Sequence, residues 1–236
     1  MQIKTLGRQA SLLAIAALTI GGLPLAYAPA AFSQSLMEQR GTLQPMRQEY
    51  TFAGEKGQAI LISMSSDEFD AALSLLDPEG KEIATNDDYG RTVNAAIVIT
   101  LPSAGTYKIL ARSFSGEGGN YTVTVRPATA YDQAYAQAAA LYTEGKLEAA
   151  AIAYSAVIQI DVNQPIAYLD RGDVAYAQGN VHGLIADYQK AIELYQKAGD
   201  TETAQMLQEQ LQYIQDMPEQ QSINLSYPEH TASMTP

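Results

Sequence analysis

The densest run of chemically competent side chains is Asn86-Asp87-Asp88, inside the stretch TNDDYG at residues 85–90. Adjacent carboxylates can share acid–base work or ligate a hard cation. Calcium asks for about six to eight oxygen ligands, several of them anionic. The donors offered here are Asp70, Asn86, Asp87 and Asp88. The stretch lacks the alternating D-x-D-x-D-G spacing of a calcium loop, and Asn and Asp favour turns anyway, because their side chains bond the nearby backbone. As an acid–base pair Asp87 and Asp88 are poorly arranged, since neighbours on a turn seldom converge on one substrate atom. The chain has no Cys and no Trp, and its two histidines are His182 and His230. Disulfides and Cys-ligated metal sites are thereby excluded. No G-x-S-x-G, H-E-x-x-H or phosphate-binding glycine loop occurs. These residues predict a protein that is not an enzyme and has no cofactor, with calcium as the one ion it could hold.

The formal net charge of the 236 residues is −12. Phosphate binding needs cationic side chains, so such a surface disfavours nucleic acid and anionic headgroups and favours basic partners or plain solubility. Lys4 and Arg8 are the only charges before Glu38. They precede an apolar run from Leu12 to Ile20, the breakers Gly21, Gly22 and Pro24, and then small residues. That order is a secretory signal peptide over residues 1–33, with cleavage after Ser33. The alternative is a retained anchor, but a span needs about 20 apolar residues, and this run is short and ends near Pro24. The rest of the chain is expected to be periplasmic or secreted, with no membrane insertion after cleavage.

Residues 41–127 read in period two. Tyr121, Val123 and Val125 alternate with Thr122, Thr124 and Arg126, and Tyr107, Ile109 and Ala111 repeat the pattern, as strands with one buried face do. GQAILISMSS and NAAIVITLP are apolar on both faces and predict inner strands. Turn signals such as DPEG at 77–80 separate the runs. Many short, punctuated strands indicate a sandwich or barrel. The run FDAALSLLDPEGKEIATNDD (69–88), then LPSAGTYKILARS (101–113), then GGNYTVTV (118–125) resembles the bacterial pre-peptidase C-terminal domain. The resemblance implies a jelly-roll-like β-sandwich, an accessory module for folding, attachment or binding, and relatives in secreted collagenases that use calcium.

The remainder reads in period 3.6 and repeats itself. YTEGKLEAAAIAYSAVI begins at Tyr142 and YAQGNVHGLIADYQKAI begins 34 residues later at Tyr176. Gly145 matches Gly179, Tyr154 matches Tyr188, Ile158 matches Ile192, and Ala138 matches Gly172. Helices are predicted at about 131–144, 147–160, 165–178 and 181–197, with a glycine stop after the first of each pair and Pro165 opening the third. Ala204, Leu207, Leu211 and Ile214 make a fifth helix over 201–215, polar outside, suited to capping. The period and the residues Tyr168, Gly172, Gly179, Tyr188 and Ala191 resemble the tetratricopeptide repeat. Departures are Leu184 where a small Ala is usual, and the missing Pro at each repeat end. The fold class that follows is a β-sandwich and then a small α-helical tetratricopeptide solenoid: repeats at 131–164 and 165–198, helical domain to 216, and a disordered tail at 217–236.

The resemblance to tetratricopeptide repeats implies a peptide or protein partner on a concave face lined by the first helix of each unit. By position that face holds Asp132, Tyr135, Ala139 and Tyr142, then Ile166, Leu169, Asp173 and Tyr176. The bland reading is that these tyrosines pack between helices. The expected function is an extracytoplasmic scaffold or adaptor. The alternative is a glycan- or matrix-binding protein that uses the sandwich, with calcium, while the repeats self-associate. The wording of the repeats resembles secreted cyanobacterial proteins.

Overall fold

The computed structural model describes residues 36–43, 47–87, 89, 91, 94–114, 116 and 118–216. The proposed leader, Asp88 and the tail at 217–236 lie outside the described residues. Eight strands come first: β1 (Met37–Leu43), β2 (Gln48–Gly54), β3 (Ala59–Ser65), β4 (Ala71–Leu76), β5 (Glu82–Asn86), β6 (Ala95–Thr100), β7 (Gly105–Ser113) and β8 (Gly119–Pro127). Five helices follow: α1 (Ala130–Thr143), α2 (Leu147–Ile160), α3 (Pro165–Ala177), α4 (Val181–Ala198) and α5 (Thr201–Asp216). Among the described residues no helix is long and apolar enough to cross a membrane.

The strands form two antiparallel four-stranded sheets, in the orders β1-β8-β3-β6 and β2-β7-β4-β5. First pairs with eighth, second with seventh, third with sixth and fourth with fifth, which is one long hairpin rolled into a jelly roll. The alternating residues fall as their period requires. Tyr107, Ile109, Ala111, Tyr121, Val123 and Val125 turn inward, joining Ile60, Ile62, Met64, Leu73 and Leu75 in one core.

Two expectations need correction. The sheet begins at Met37, ahead of residue 41. β1 is an edge strand placed by its ladder with β8 (Met37 opposite Val125), so its polar sequence shows no alternation. β6 is also an edge rather than an inner strand. It is apolar on both sides because α1 packs over it: Ala96, Ile97 and Val98 line a cleft with Ala136, Ala139 and Ala140. Covering an edge strand with a helix is a common protection against stray pairing.

The helices form two hairpins, α1–α2 and α3–α4, closed by α5, with bounds within one residue of those predicted. The turns of the two hairpins match atom for atom. Gly145 (φ 72°) donates to the Tyr142 carbonyl and Lys146 to that of Leu141. Gly179 (φ 76°) donates to Tyr176 and Asn180 to Ala175. This double bond around a left-handed residue is the Schellman stop. Gly172 has the packing role that its size suggests: a Cβ there would lie 3.0 Å from the Tyr188 ring. Leu184, at the position where Ala is usual, is buried. Its neighbour Gly183 leaves room for Asn180, whose Oδ1 accepts from the Gly183 N–H and caps α4. Ala204, Leu207 and Leu211 of α5 complete the helical core.

Candidate functional site at the seam between sheet and helices

The residues assigned to the partner-binding face do not share one fate. Asp132 is buried as the N3 residue of a capping box, with Thr129 as N-cap. Its carboxylate also accepts from Arg126 of β8 at 2.6 and 2.9 Å. Burial pushes this carboxyl up, but the hydrogen bonds from Arg126 and Thr129 together hold it below the usual carboxylate range. Tyr135 and Leu169 are 3% exposed, so these two, like Asp132, have little surface to give a partner. The Tyr135 ring packs against those of Tyr131, Tyr154 and Tyr89. Tyr176 packs partly against the helical core. Tyr142, 38% exposed, and Asp173 reach the surface.

What covers the face is the chain itself. Residues 87–94 connect β5 to β6, and two of them project onto the helices. The Tyr89 ring meets that of Tyr135 edge-on at 5.4 Å. Arg91 donates through Nη1 to Asp173 at 2.5 Å and through Nη2 to the Tyr188 hydroxyl at 3.1 Å, and its guanidinium lies 5.6 Å from the centre of the Tyr188 ring. The Tyr188 hydroxyl in turn donates to Asp173 at 2.7 Å. Arg91 adopts φ 66°, and among the described residues no other non-glycine has a positive φ. That conformation costs roughly 1–2 kcal/mol, and such residues persist where their surroundings over-determine them.

Beneath Arg91 lies a second carboxylate. Asp170 is one turn before Asp173 on α3, so both occupy one face. It is buried and accepts from the Tyr135 hydroxyl at 2.5 Å. Burial pushes its carboxyl up to about 6; nearby Asp173 adds to the rise, while Tyr135 and Arg91 pull against it. Burial raises Asp173 also, against the opposing pull of Arg91 and Tyr188. The result is an acidic pocket walled by tyrosines and filled by one arginine. Beside it opens a cleft of about 490 Å³ between the sheet and the helices, lined in part by Met64, Tyr89, Tyr131, Ile166 and Tyr195. The Tyr131 hydroxyl at this cleft is buried with no hydrogen-bond partner among the described residues.

Of the proposed calcium donors, Asp70, Asn86 and Asp87 are among the described residues. Asn86 ends β5 and its Oδ1 accepts from the Ala96 N–H at 2.9 Å. Asp70 precedes β4, with Oδ1 buried and without a partner among the described residues. Asp87 follows Asn86, and Asp88 lies outside the described residues. Among the described residues no group of three or more His, Asp or Glu side chains gathers as a metal site would require.

Sequence reasoning missed Tyr89, Arg91 and Asp170. Tyr89 sat inside a stretch legible as a turn. Asp170 had a signal, because the residue 34 positions earlier is Ala136, and an acid that breaks an alanine pattern on a helix is conspicuous.

Residues 48–113 match the bacterial pre-peptidase C-terminal domain family, and such a domain occupies that part of the chain. No curated protein matches the chain. Among solved structures, PliG of Aeromonas hydrophila, a periplasmic inhibitor of g-type lysozyme, is similar at 18% identity and TM-score 0.35, over 42% of this chain and 90% of that one. The pre-peptidase C-terminal domain of a Bacillus anthracis collagenase is similar at 16% identity and TM-score 0.34, over 38% and 87%. PliG of Salmonella Typhimurium gives 19% identity and TM-score 0.30, over 39% and 86%.

Proposed function

We propose that the chain is a non-catalytic, extracytoplasmic adaptor that binds a protein or peptide. In this reading residues 131–198 are two tetratricopeptide repeats, α5 is their cap, and the pre-peptidase C-terminal domain is the accessory module that positions them. The 34-residue period, the duplicated Schellman stops and the small residues at Ala138 and Gly172 support the assignment of the repeats. The leader pattern supports the compartment. The observation that carries the reading is that the face of α1 and α3 already holds polypeptide: the Tyr89 ring and the Arg91 guanidinium, by contacts a bound peptide would make.

Photo-crosslinking in the native organism tests it. A crosslinking residue in place of the half-exposed Tyr142 is expected to yield a discrete protein adduct. Adducts that form only from positions on the outer faces of the sandwich would overturn the assignment of the binding face.

A second reading has one observation in its favour. The Oδ1 of Asp70, buried and without a partner among the described residues, suits a sandwich that takes calcium with Asp87 and Asp88 and recognises a glycan or matrix surface itself. A ligand of the folded state raises Tm in proportion to RT ln(1 + [L]/Kd). Millimolar calcium then raises Tm in the parent and not in Asp70→Asn.

A further inference from the structure

The pocket under Arg91 is built for a guanidinium beside an aromatic ring, and the chain's own segment fills it. We propose that Asp170, Asp173, Tyr188 and Tyr135 form a recognition site for an arginine next to an aromatic residue on another protein, and that Arg91 and Tyr89 occupy this site as an internal stand-in which the partner displaces. The inference rests on the adaptor reading and names the chemistry of its partner.

Four features lead there. Two carboxylates one turn apart on α3 face a single cation, Arg91. The guanidinium is held by three kinds of contact at once: a charge-assisted hydrogen bond to Asp173, a hydrogen bond to the Tyr188 hydroxyl and the face of the Tyr188 ring. A planar, forked cation satisfies such a set, whereas an ammonium makes only part of it. The residue that fills the site does so in a left-handed conformation, so an arginine delivered from an extended peptide enters without that strain. Finally, the site remains accessible: the side chains of Arg91 and Asp173 are 31% and 32% exposed, and the tyrosine-lined cleft next to it has room for further side chains of the incoming segment.

Occupation from within sets the affinity scale. A tethered segment competes at an effective concentration in the millimolar range, and a site that is free for only a fraction of the time binds more weakly by that fraction. A partner therefore succeeds by adding contacts in the cleft, and removing the stand-in strengthens the binding of any mimic.

The test uses the full chain and a fluorescein-labelled peptide copying residues 86–94, NDDYGRTVN, with binding followed by anisotropy. The parent is expected to bind it weakly and Arg91→Ala at least about tenfold more tightly. The gain is lost when Asp173→Asn is added or when the peptide's arginine is replaced by alanine. Arg91→Lys, which keeps the charge but not the fork, gives a smaller gain and serves if Arg91→Ala does not fold. Equal affinity of the parent and both Arg91 variants, or indifference to the peptide's arginine, overturns the proposal. Concentration-dependent dimerisation of Arg91→Ala with the parent, abolished by Asp173→Asn, would identify a second copy as the occupant and overturn it too. A protein that crosslinks at Tyr142 with equal yield in parent, Arg91→Ala and Asp173→Asn leaves the adaptor reading standing and sinks this one. Peptide binding without any protein adduct does the reverse.

Discussion

In the first hairpin the α1 residues that face strand β6 include Ala136 and Ala139. Thirty-four residues on, the same positions of α3 hold Asp170 and Asp173. Gln137 and Ala153 likewise become Arg171 and Asp187, a bidentate pair with nitrogen–oxygen distances of 2.6 and 2.9 Å. The tyrosines do not change: Tyr154 and Tyr188 are both buried on the second helix of their hairpin. One backbone unit thus appears once with alanine and once with acid, and the sandwich answers each in kind. It sets the apolar strand β6 against the alanine copy and Arg91 against the acidic copy. The two hairpins share their turns, and a few inward positions decide what each one holds.

The sharpest way to break that comparison is to remove a shared tyrosine. Tyr188→Ala deletes a buried ring seated on Gly172 and is expected to cost about 3–5 kcal/mol, as truncation of a large core aromatic does, with Tyr154→Ala in the same range. The two separate when only the hydroxyl is removed. Tyr188→Phe strips a donor from Asp173 and an acceptor from Arg91, leaving a half-buried carboxylate short of a partner at a cost of about 1 kcal/mol. Its effect in urea unfolding is expected to shrink in an Arg91→Ala, Asp173→Asn background. An unchanged effect there would mean that the hydroxyl matters for reasons unrelated to the sandwich.

Acidity comes next in size. The Asp170 carboxyl is raised to about 6, first by burial, and Asp173 moves the same way. A carboxyl whose pKa is higher in the folded than in the unfolded chain binds its proton more tightly when folded. The stability it lends is complete below about pH 4 and is lost as the pH climbs through about 6. Asp132, held low by Arg126 and Thr129, acts in the opposite sense but below pH 4, outside that window. Unfolding free energy is therefore expected to fall between pH 4.5 and 6.5, by at most about 3 kcal/mol for a shift near two pH units. Asp170→Asn flattens the curve. A parent that gains stability over this window would contradict the placement of two acids in the second hairpin.

The contrast also explains what could be read in advance. Alternation at Tyr121-Val123-Val125 and the stops at Gly145 and Gly179 are local signals, so the sandwich and the helix ends follow from them directly. β1 was not legible, because an edge strand owes its place to a neighbour rather than to its own pattern. The apolar character of β6 was legible and its cause was not, since an inner strand and an edge strand under a helix have the same composition. The site was half legible. Asp173 and Tyr142 were assigned by the resemblance to the repeat family, but that Tyr135 and Leu169 would be buried, and that Arg91 would reach Asp173 across 82 positions, depends on how the sheet docks on the helices, which no local pattern encodes.

The smallest effect tests sameness rather than difference. Gly145 and Gly179 have φ of 72° and 76°, and at neither would an added Cβ meet any atom within 4 Å. Alanine at either position thus suffers only the left-handed backbone penalty, roughly 1–2 kcal/mol, reduced by the lower entropy of the unfolded alanine chain, about 0.4–1 kcal/mol. Each variant is expected to lose about 1 kcal/mol, with midpoints in urea that coincide and m-values equal to the parent's. The charges around Asp170 and Asp173 are not needed by either turn, because the bonds that close both turns are backbone to backbone. A clear gap between Gly145→Ala and Gly179→Ala would show that divergence has reached the backbone of the repeat, and the division between a shared scaffold and distinct contents would have to be redrawn.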